Sequence, residues 1–371
     1  MGPSTTINSD FRVFSKNYVF DPRPHLPFRI SAKRYWTHSD LEECTNGKTN
    51  SNPDDDKIRA EMLTLVFAHA NGFHKEHWEP IIHRLFEQQW ASEQCPFRIQ
   101  DMWALDAPNH GDAAVMNEEV LAWGYSLFSW EDYARCVHAF LAGLGSGVDV
   151  DFSKRNLVAV GHSMGATAAI LSTTFFPSIK FSSMHLIEPV MVGNHDPPSH
   201  LVDGAENRRD IWKSVDDAYV ALKSRSTWQN WDDRILKIYV EHGLRPLPTA
   251  EYPDRKDGVT LKCTRKQEAA VFRDHRSYTV AYRLLPYILK KTPTHITYGE
   301  TADFLRDEWR HDVLNNASGG IRNFASVTWV PGAGHLVAQT KPDKIANVIW
   351  KSLLHTHSSG QIRSAAGSAR L

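Results

Sequence analysis

The chain carries almost no net charge: 42 lysines and arginines stand against 43 acidic residues among 371, and no basic run interleaved with aromatics offers a track for a phosphate backbone. Nucleic acid is therefore excluded as an expected partner. Cysteine is scarce. Cys44, Cys95, Cys136 and Cys263 lie far apart, without a Cys-x-x-Cys pair for zinc or the density of a disulfide scaffold, which points to a reducing or neutral intracellular compartment. No stretch approaches the ~18 apolar residues needed to span a bilayer, and Met1 to Asp10 holds no apolar core of signal-peptide length. Internal repeats are also absent.

What the chain does have is an alternating rhythm. Two extended segments, Phe11 to Phe20 and Phe28 to Trp36, are separated by Pro22, Pro24 and Pro27 and read as an N-terminal antiparallel hairpin. A polar stretch from Leu41 to Lys57 reads as an exposed loop. Strands are then predicted at Leu63 to Ala68, Arg98 to Leu105, Asn156 to Val160, Ser183 to Ile187, His295 to Tyr298 and Ser326 to Val330. Helices fit Trp78 to Gln88, Trp130 to Leu144, Met164 to Thr174 and Pro342 to Leu354. Short apolar strands alternating with helices specify an α/β fold, a mostly parallel central sheet covered on both faces.

The rhythm breaks once. About a hundred residues, with Trp212, Trp228 and Trp231 and helical patterns at Ala205 to Leu222 and Lys266 to Leu289, separate the strand at Ser183 from that at His295. The expected organisation is N-terminal strands and a polar loop over 1–60, the first part of an α/β core over 61–195, and an inserted helical cap over 196–290. The second part of the core then covers 291–355 and a disordered tail 356–371.

The most informative motif is Gly161-His162-Ser163-Met164-Gly165, directly after the apolar run Leu157 to Val160 and before a helical pattern. A strand that becomes a helix within five residues strains its central residue, and glycines two positions away remove the Cβ clashes. Such a nucleophile elbow lifts the Ser163 hydroxyl off the sheet at a helix N-terminus, where free N–H groups favour negative charge.

A serine hydroxyl is a weak nucleophile without a base. His335, in Gly332-Ala333-Gly334-His335-Leu336 after the last predicted strand, is the candidate base. Two carboxylates compete to orient it. Glu188 ends the buried strand after the elbow, where an unpaired charge would be costly, and is preferred. Asp303 follows the strand His295 to Tyr298 in a polar stretch and is the alternative.

Oxyanion donors are expected from the amide of Met164 and from the loop Asn71-Gly72-Phe73 that follows the strand at Leu63. The turn Asp106 to Asp112 is expected to buttress the site structurally. His69, His74 and His77 lack a helical Glu-flanked pair or a cysteine partner, so no metal is expected.

With these residues in place the chain resembles the α/β-hydrolase superfamily from about Arg29 to Leu354. More narrowly, His69-Ala70-Asn71-Gly72-Phe73-x-Lys75-Glu76, Asp106 to Asp112 and Ser318-Gly319-Gly320 resemble a fungal group of peroxisomal lipase-like, toxin-biosynthesis and acyl-CoA hydrolases. The resemblance implies a serine hydrolase that cleaves an ester or thioester through an acyl-enzyme, without a cofactor, on a small-molecule substrate that is an acyl-CoA or a lipid-like or secondary-metabolite acyl compound. In the group's acyl-CoA hydrolase the acid follows the strand after the elbow, which falls on Glu188. This chain departs by offering glutamate there and by adding Asp303. The same triad also serves acyltransferases and lyases, and a degenerate hydrolase can act as a binding protein. Ala369-Arg370-Leu371 has the order of a relaxed peroxisomal targeting tripeptide, so an import receptor and the peroxisomal matrix are the expected partner and compartment, with the cytoplasm as the alternative.

Overall fold

The computed structural model describes residues 11–37, 61–92, 94–193 and 199–367. Cys44, the polar stretch Leu41 to Lys57 and the tripeptide Ala369 to Leu371 lie outside them. Eight strands form the main sheet: β1 (Val13–Phe20), β2 (Ile30–Thr37), β3 (Glu61–Ala68), β4 (Phe97–Leu105), β5 (Asn156–His162), β6 (Phe181–Ile187), β10 (Thr294–Gly299) and β11 (Ser326–Val330). Their spatial order is β1-β2-β4-β3-β5-β6-β10-β11. The hairpin β1/β2 is antiparallel and joins β4 antiparallel, whereas the pairs from β4 to β11 are parallel.

The period of two along a strand sorts side chains into two cores. From β3, Leu63, Leu65 and Phe67 enter one core, shared with α1 (Glu79–Trp90) and the C-terminal helix α10 (Pro342–Gly367). Val66 and Ala68 enter the other, with Trp103, Tyr133 and Phe140, beneath α2 (Trp130–Leu141) and α3 (Met164–Ser172). Because both faces are covered, β3 reads as a continuous apolar run rather than an alternation. Every residue of α3 is buried, and its small residues Gly165, Ala166, Ala168 and Ala169 let it lie close against the sheet.

Between β6 and β10 the chain forms α4 (Ser199–Asn207), α5 (Val215–Lys223), α6 (Asp233–Gly243), α7 (Arg265–Phe272) and α8 (Ser277–Leu289). It also forms a three-stranded antiparallel sheet, β7 (Ile211–Trp212), β9 (Val259–Leu261) and β8 (Leu244–Pro246), absent from the sequence reading. The helical pattern Ala205 to Leu222 is in fact two helices. Ser214 caps the second, its hydroxyl accepting from the Asp217 N–H, and the short β7 that precedes it buries Trp212. Lys266 to Leu289 also splits, because the Asp274 carboxylate accepts from the Arg276 and Ser277 N–H groups and restarts the chain as α8.

Trp212, Trp231, Leu236 and Tyr239 build a separate core in this insertion, and Phe73 from the loop after β3 plugs into it. Ala270, Val271, Ala281 and Leu285 of α7 and α8 are instead buried in the core under α2 and α3. The 196–290 segment thus contributes its last two helices to the layer covering the sheet. At the other end, α10 continues well past Leu354, and residues 356–367, expected to be tail, are helical. No proline follows Pro342, and once a helix exists each further residue adds a hydrogen bond at small cost.

Candidate active site

The C-terminal ends of β3, β5, β6 and β10 meet at one edge of the sheet, the edge where open parallel sheets bind ligands. Ser163 sits at the tip of β5 with φ 55° and ψ −117°. A Cβ built on Gly161 would stand 2.5 Å from the Ala166 backbone, and one on Gly165 2.1 Å from the Ala68 carbonyl oxygen. Both positions admit only hydrogen, which is why the elbow needs glycine on each side.

His335 approaches from the loop after β11. Its Nε2 lies 3.0 Å from Ser163 Oγ and its Nδ1 3.0 Å from Glu188 Oε2. The neutral imidazole carrying its proton on Nδ1 satisfies both contacts, with Nδ1–H donating to the carboxylate and Nε2 accepting from the serine hydroxyl. Glu188 is fully buried and also has positive φ, 47°. Its Oε1 accepts from the Gly299 N–H at 2.6 Å. Asp303 does not touch the ring: its Oδ1 accepts from the backbone N–H of His335 at 2.8 Å. The two carboxylates that compete in the sequence hold different parts of one histidine.

Two further partners of His335 were missed by sequence reasoning. His162, the residue before the serine, has its Nε2 2.8 Å from the His335 carbonyl oxygen. Burial lowers the pKa of His162 to about 3, so it is a neutral ring donating that N–H. Phe304 stacks on the His335 ring, 4.2 Å between centroids and 19° from parallel.

The third missed residue, Arg310, is wholly buried on α9 (Asp307–Asp312) and reaches Glu188 Oε1 at 3.4 Å. Its one sequence signal is position. Arg310 starts the stripe Val313, Leu314, Ala317 at i+3, i+4 and i+7, and all four are buried, so a charge stands in an apolar face.

The loop after β3 is tied down by the turn after β4. Lys75 is buried, with Nζ at 2.8 Å from Glu76, 3.0 Å from Asp106 and 2.7 Å from Asp112. Burial opposes its charge, but the surrounding Asp106, Glu76 and Asp112 carboxylates outweigh that and raise its pKa. His69 bridges the loops: Nε2 accepts from the Ala107 N–H, and Nδ1 donates to the Ala70 carbonyl. With both ring nitrogens on backbone groups, His69 is a structural link between the two loops.

The expected donors separate. The Gly72 N–H donates to His110 Nε2 in the turn after β4 at 2.9 Å and the Phe73 N–H to the Ala70 carbonyl at 3.3 Å, so both are committed. Met164, first in α3, has the N–H of a helix N-terminus without an intrahelical acceptor, and it lines the same cavity as Ser163 and Asn71.

That cavity measures about 280 Å³ and is walled by Trp130, Val190, Val192, Phe272, Tyr278 and Trp309. The wall is mostly apolar, with His200, Asp274, Asp303 and Arg306 among its polar members, and α7 and α8 supply part of it. A larger cavity of about 560 Å³ lies beside α7, but none of the residues above opens into it. Its cations Lys262, Lys266 and Arg273 are paired with Asp112, Glu251 and Glu206.

A doubly covered parallel sheet carrying a strained serine at the tip of its central strand defines the α/β-hydrolase class. Residues 65–348 match the Alpha/beta hydrolase family, and the chain belongs to it. Among individual proteins it is 28% identical over 203 residues to the type I acyl-CoA thioesterase mpaH of Penicillium roqueforti (strain FM164), a match covering 53% of this chain and 43% of that one. A 35% identity over 134 residues links it to the peroxisomal membrane protein LPX1 of Saccharomyces cerevisiae, covering 36% of this chain and 32% of the relative. The matches thus span less than half the length of these curated relatives.

The fold is shared with the solved peroxisomal alpha-beta-hydrolase Lpx1 of Saccharomyces cerevisiae, at TM-score 0.64 and 20% identity over 95% of this chain and 90% of that one. It is shared also with a thioesterase domain from the curacin biosynthetic pathway, at TM-score 0.59 and 13% identity over 91% and 99% of the two chains. Among the described residues no helix is long and apolar enough to cross a membrane.

Proposed function

We propose that the protein is a serine hydrolase that cleaves an ester or thioester through an acyl-enzyme. The observation that most supports this is the hydrogen-bonded line Ser163–His335–Glu188, with 3.0 Å at each link, opening on a mostly apolar cavity. Ser163 attacks the acyl carbonyl while His335 takes its proton and Glu188 stabilises the imidazolium. The amides of Met164 and Asn71 receive the oxyanion. The alcohol or thiol leaves with a proton from His335, and a water activated by the same ring hydrolyses the acyl-enzyme.

A cavity of about 280 Å³ with mostly apolar walls suits an acyl chain. An acyl-CoA is the substrate class in keeping with the names of the Penicillium relatives, and the insertion between β6 and β10 acts as a cap that selects the acyl group. Peroxisomal residence accompanies this reading, in keeping with the yeast relatives' names. A fluorescent fusion that leaves Leu371 free should collect in peroxisomes, and cytosolic signal would remove that part.

Fluorophosphonate labelling tests the chemistry. The native protein should label and Ser163→Ala should not; equal labelling of both, or of neither, overturns the serine-hydrolase reading. Turnover of an acyl-CoA series, with and without an added alcohol or amine acceptor, then separates hydrolysis from acyl transfer.

A further inference from the structure

We infer that Arg310 is a positioning residue of this site, acting through Glu188. The inference rests on the serine-hydrolase reading and deepens it. The guanidinium has no solvent exposure and neither does its carboxylate partner. Burying such a group is costly unless its donors are used, and a hydrophobic residue would fill the same place more cheaply. Arg310 spends its two terminal nitrogens on one small region, while its buried Nε finds no partner among the described residues. Nη1 donates to the Gly299 carbonyl at 3.0 Å, Nη2 to the Thr301 carbonyl at 2.9 Å, and Nη2 also faces Glu188 Oε1 at 3.4 Å.

Those contacts converge on the two things that orient His335. Gly299 gives its N–H to Glu188 Oε1, the oxygen not facing the ring, so one carboxylate oxygen is held by a backbone amide and by the arginine while Oε2 stays free for Nδ1. Thr301 begins the turn to Asp303, which receives the His335 N–H. The turn and the carboxylate are thus clamped by one planar cation.

The clamp bears on a strained residue. Glu188 is held at φ 47°, a conformation that costs a non-glycine residue energy and persists only where its surroundings over-determine it. The Arg310 guanidinium is itself fixed against the faces of Tyr298 and Trp329, 5.6 and 5.8 Å from their centroids, and its remaining ionic neighbour is Asp307 at 3.7 Å. Lysine could keep the charge but not bridge Glu188 and two carbonyls, because the fork geometry is specific to arginine.

The test uses the full chain with Arg310→Met, Arg310→Lys, Glu188→Gln and Glu188→Gln/Arg310→Met, measuring kcat and KM on p-nitrophenyl butyrate, the rate of fluorophosphonate labelling, and Tm. Arg310→Met should lose roughly 10- to 100-fold in kcat and in labelling rate, with KM little changed, by analogy with deleting the group that orients a metal-ligating histidine. Arg310→Lys should fall between it and the native protein. Because the arginine acts mainly through Glu188, adding Arg310→Met to Glu188→Gln should slow labelling by much less than Arg310→Met does in the native background.

A folded Arg310→Met with native kcat, whatever its Tm, overturns the inference, as does a double variant whose losses multiply. If Arg310→Met does not fold, Arg310→Lys decides: native kcat refutes the role and a reduced kcat at unchanged KM supports it. Failure of the underlying reading is seen separately, as native protein that does not label at Ser163.

Discussion

Ser163 and Glu188 are the two non-glycine residues with positive φ among the described residues, 55° and 47°, and they lie at the ends of adjacent parallel strands. The Ser163 N–H donates to the carbonyl of Ile187, the residue before Glu188, at 3.0 Å. Each strand ends in a reversal that turns a side chain out of the sheet toward His335. Strain of this kind persists only where the surroundings over-determine it, and it gathers at functional sites. Here both strained residues are terminal members of one hydrogen-bonded line.

The two carboxylates should separate in kinetics. Glu188→Gln loses the charge facing Nδ1 and should lower kcat by about 10³- to 10⁴-fold. Asp303→Asn keeps an oxygen for the His335 N–H, so its cost should stay near 1 kcal/mol, within about tenfold. Hydrolysis of an activated ester by the two variants measures this, and a larger loss in Asp303→Asn would reverse the assignment of the acid.

Phe304 should matter to rate more than to fold. Its ring covers one face of the His335 imidazole at 4.2 Å. Such an aromatic pair contributes about 0.5–1.5 kcal/mol, so Phe304→Ala is expected to lower kcat/KM by roughly 2- to 10-fold. Unchanged kcat/KM in a folded variant would show that the ring is held without it.

Gly165→Ala places a methyl 2.1 Å from the Ala68 carbonyl oxygen, a backbone atom that cannot rotate away. The helix must shift off the sheet. Overpacking at such a site should destabilise by about 1–3 kcal/mol or more and displace Ser163 as well. Urea unfolding reads the first effect and fluorophosphonate labelling the second; native behaviour in both would mean that α3 is not closely seated.

Acid should weaken the fold through its buried histidines. Burial lowers the pKa of His69 and His162 to about 3 and that of His295 to about 4, from an ordinary 6.5. Unfolded, these rings take up protons below pH 6.5; folded, they do not until pH 4 or 3. The stability they contribute is therefore full above pH 6.5 and is lost as pH falls through that window, at up to ~1.4 kcal/mol per pH unit for each ring. Urea midpoints at pH 7.5, 6.0 and 5.0 should fall in that order, and His295→Gln should flatten the slope. Equal midpoints at pH 7.5 and 5.0 would contradict the account.

Much of the sheet was legible because parallel strands are short apolar runs: the predicted strands from Leu63 to Val330 coincide with β3, β4, β5, β6, β10 and β11 to within two residues at each end. The insertion was less legible. Its strands are two or three residues long, too short for a period of two to show, and α6 went unrecognised although its N-cap, Asp232, is a standard start signal. Gly72 and Phe73 sit in the loop expected to supply donors, yet which way each amide points is set by His110 and Ala70.

The sequence by itself determined the elbow. Gly161 to Gly165 after an apolar strand leaves few backbone solutions, since the constraint is local and steric. It determined also that a histidine after the last strand would be available. Only the tertiary structure decided which carboxylate faces that ring, because Glu188 and Asp303 reach His335 from different strands, and local chemistry is the same for both. Only the fold could show that Asp303 holds the main chain, that His162 pins the carbonyl, and that Arg310 stands behind Glu188 without solvent exposure. Those are relations of direction and burial between residues distant in the chain, and they exist once eight strands have been put in order.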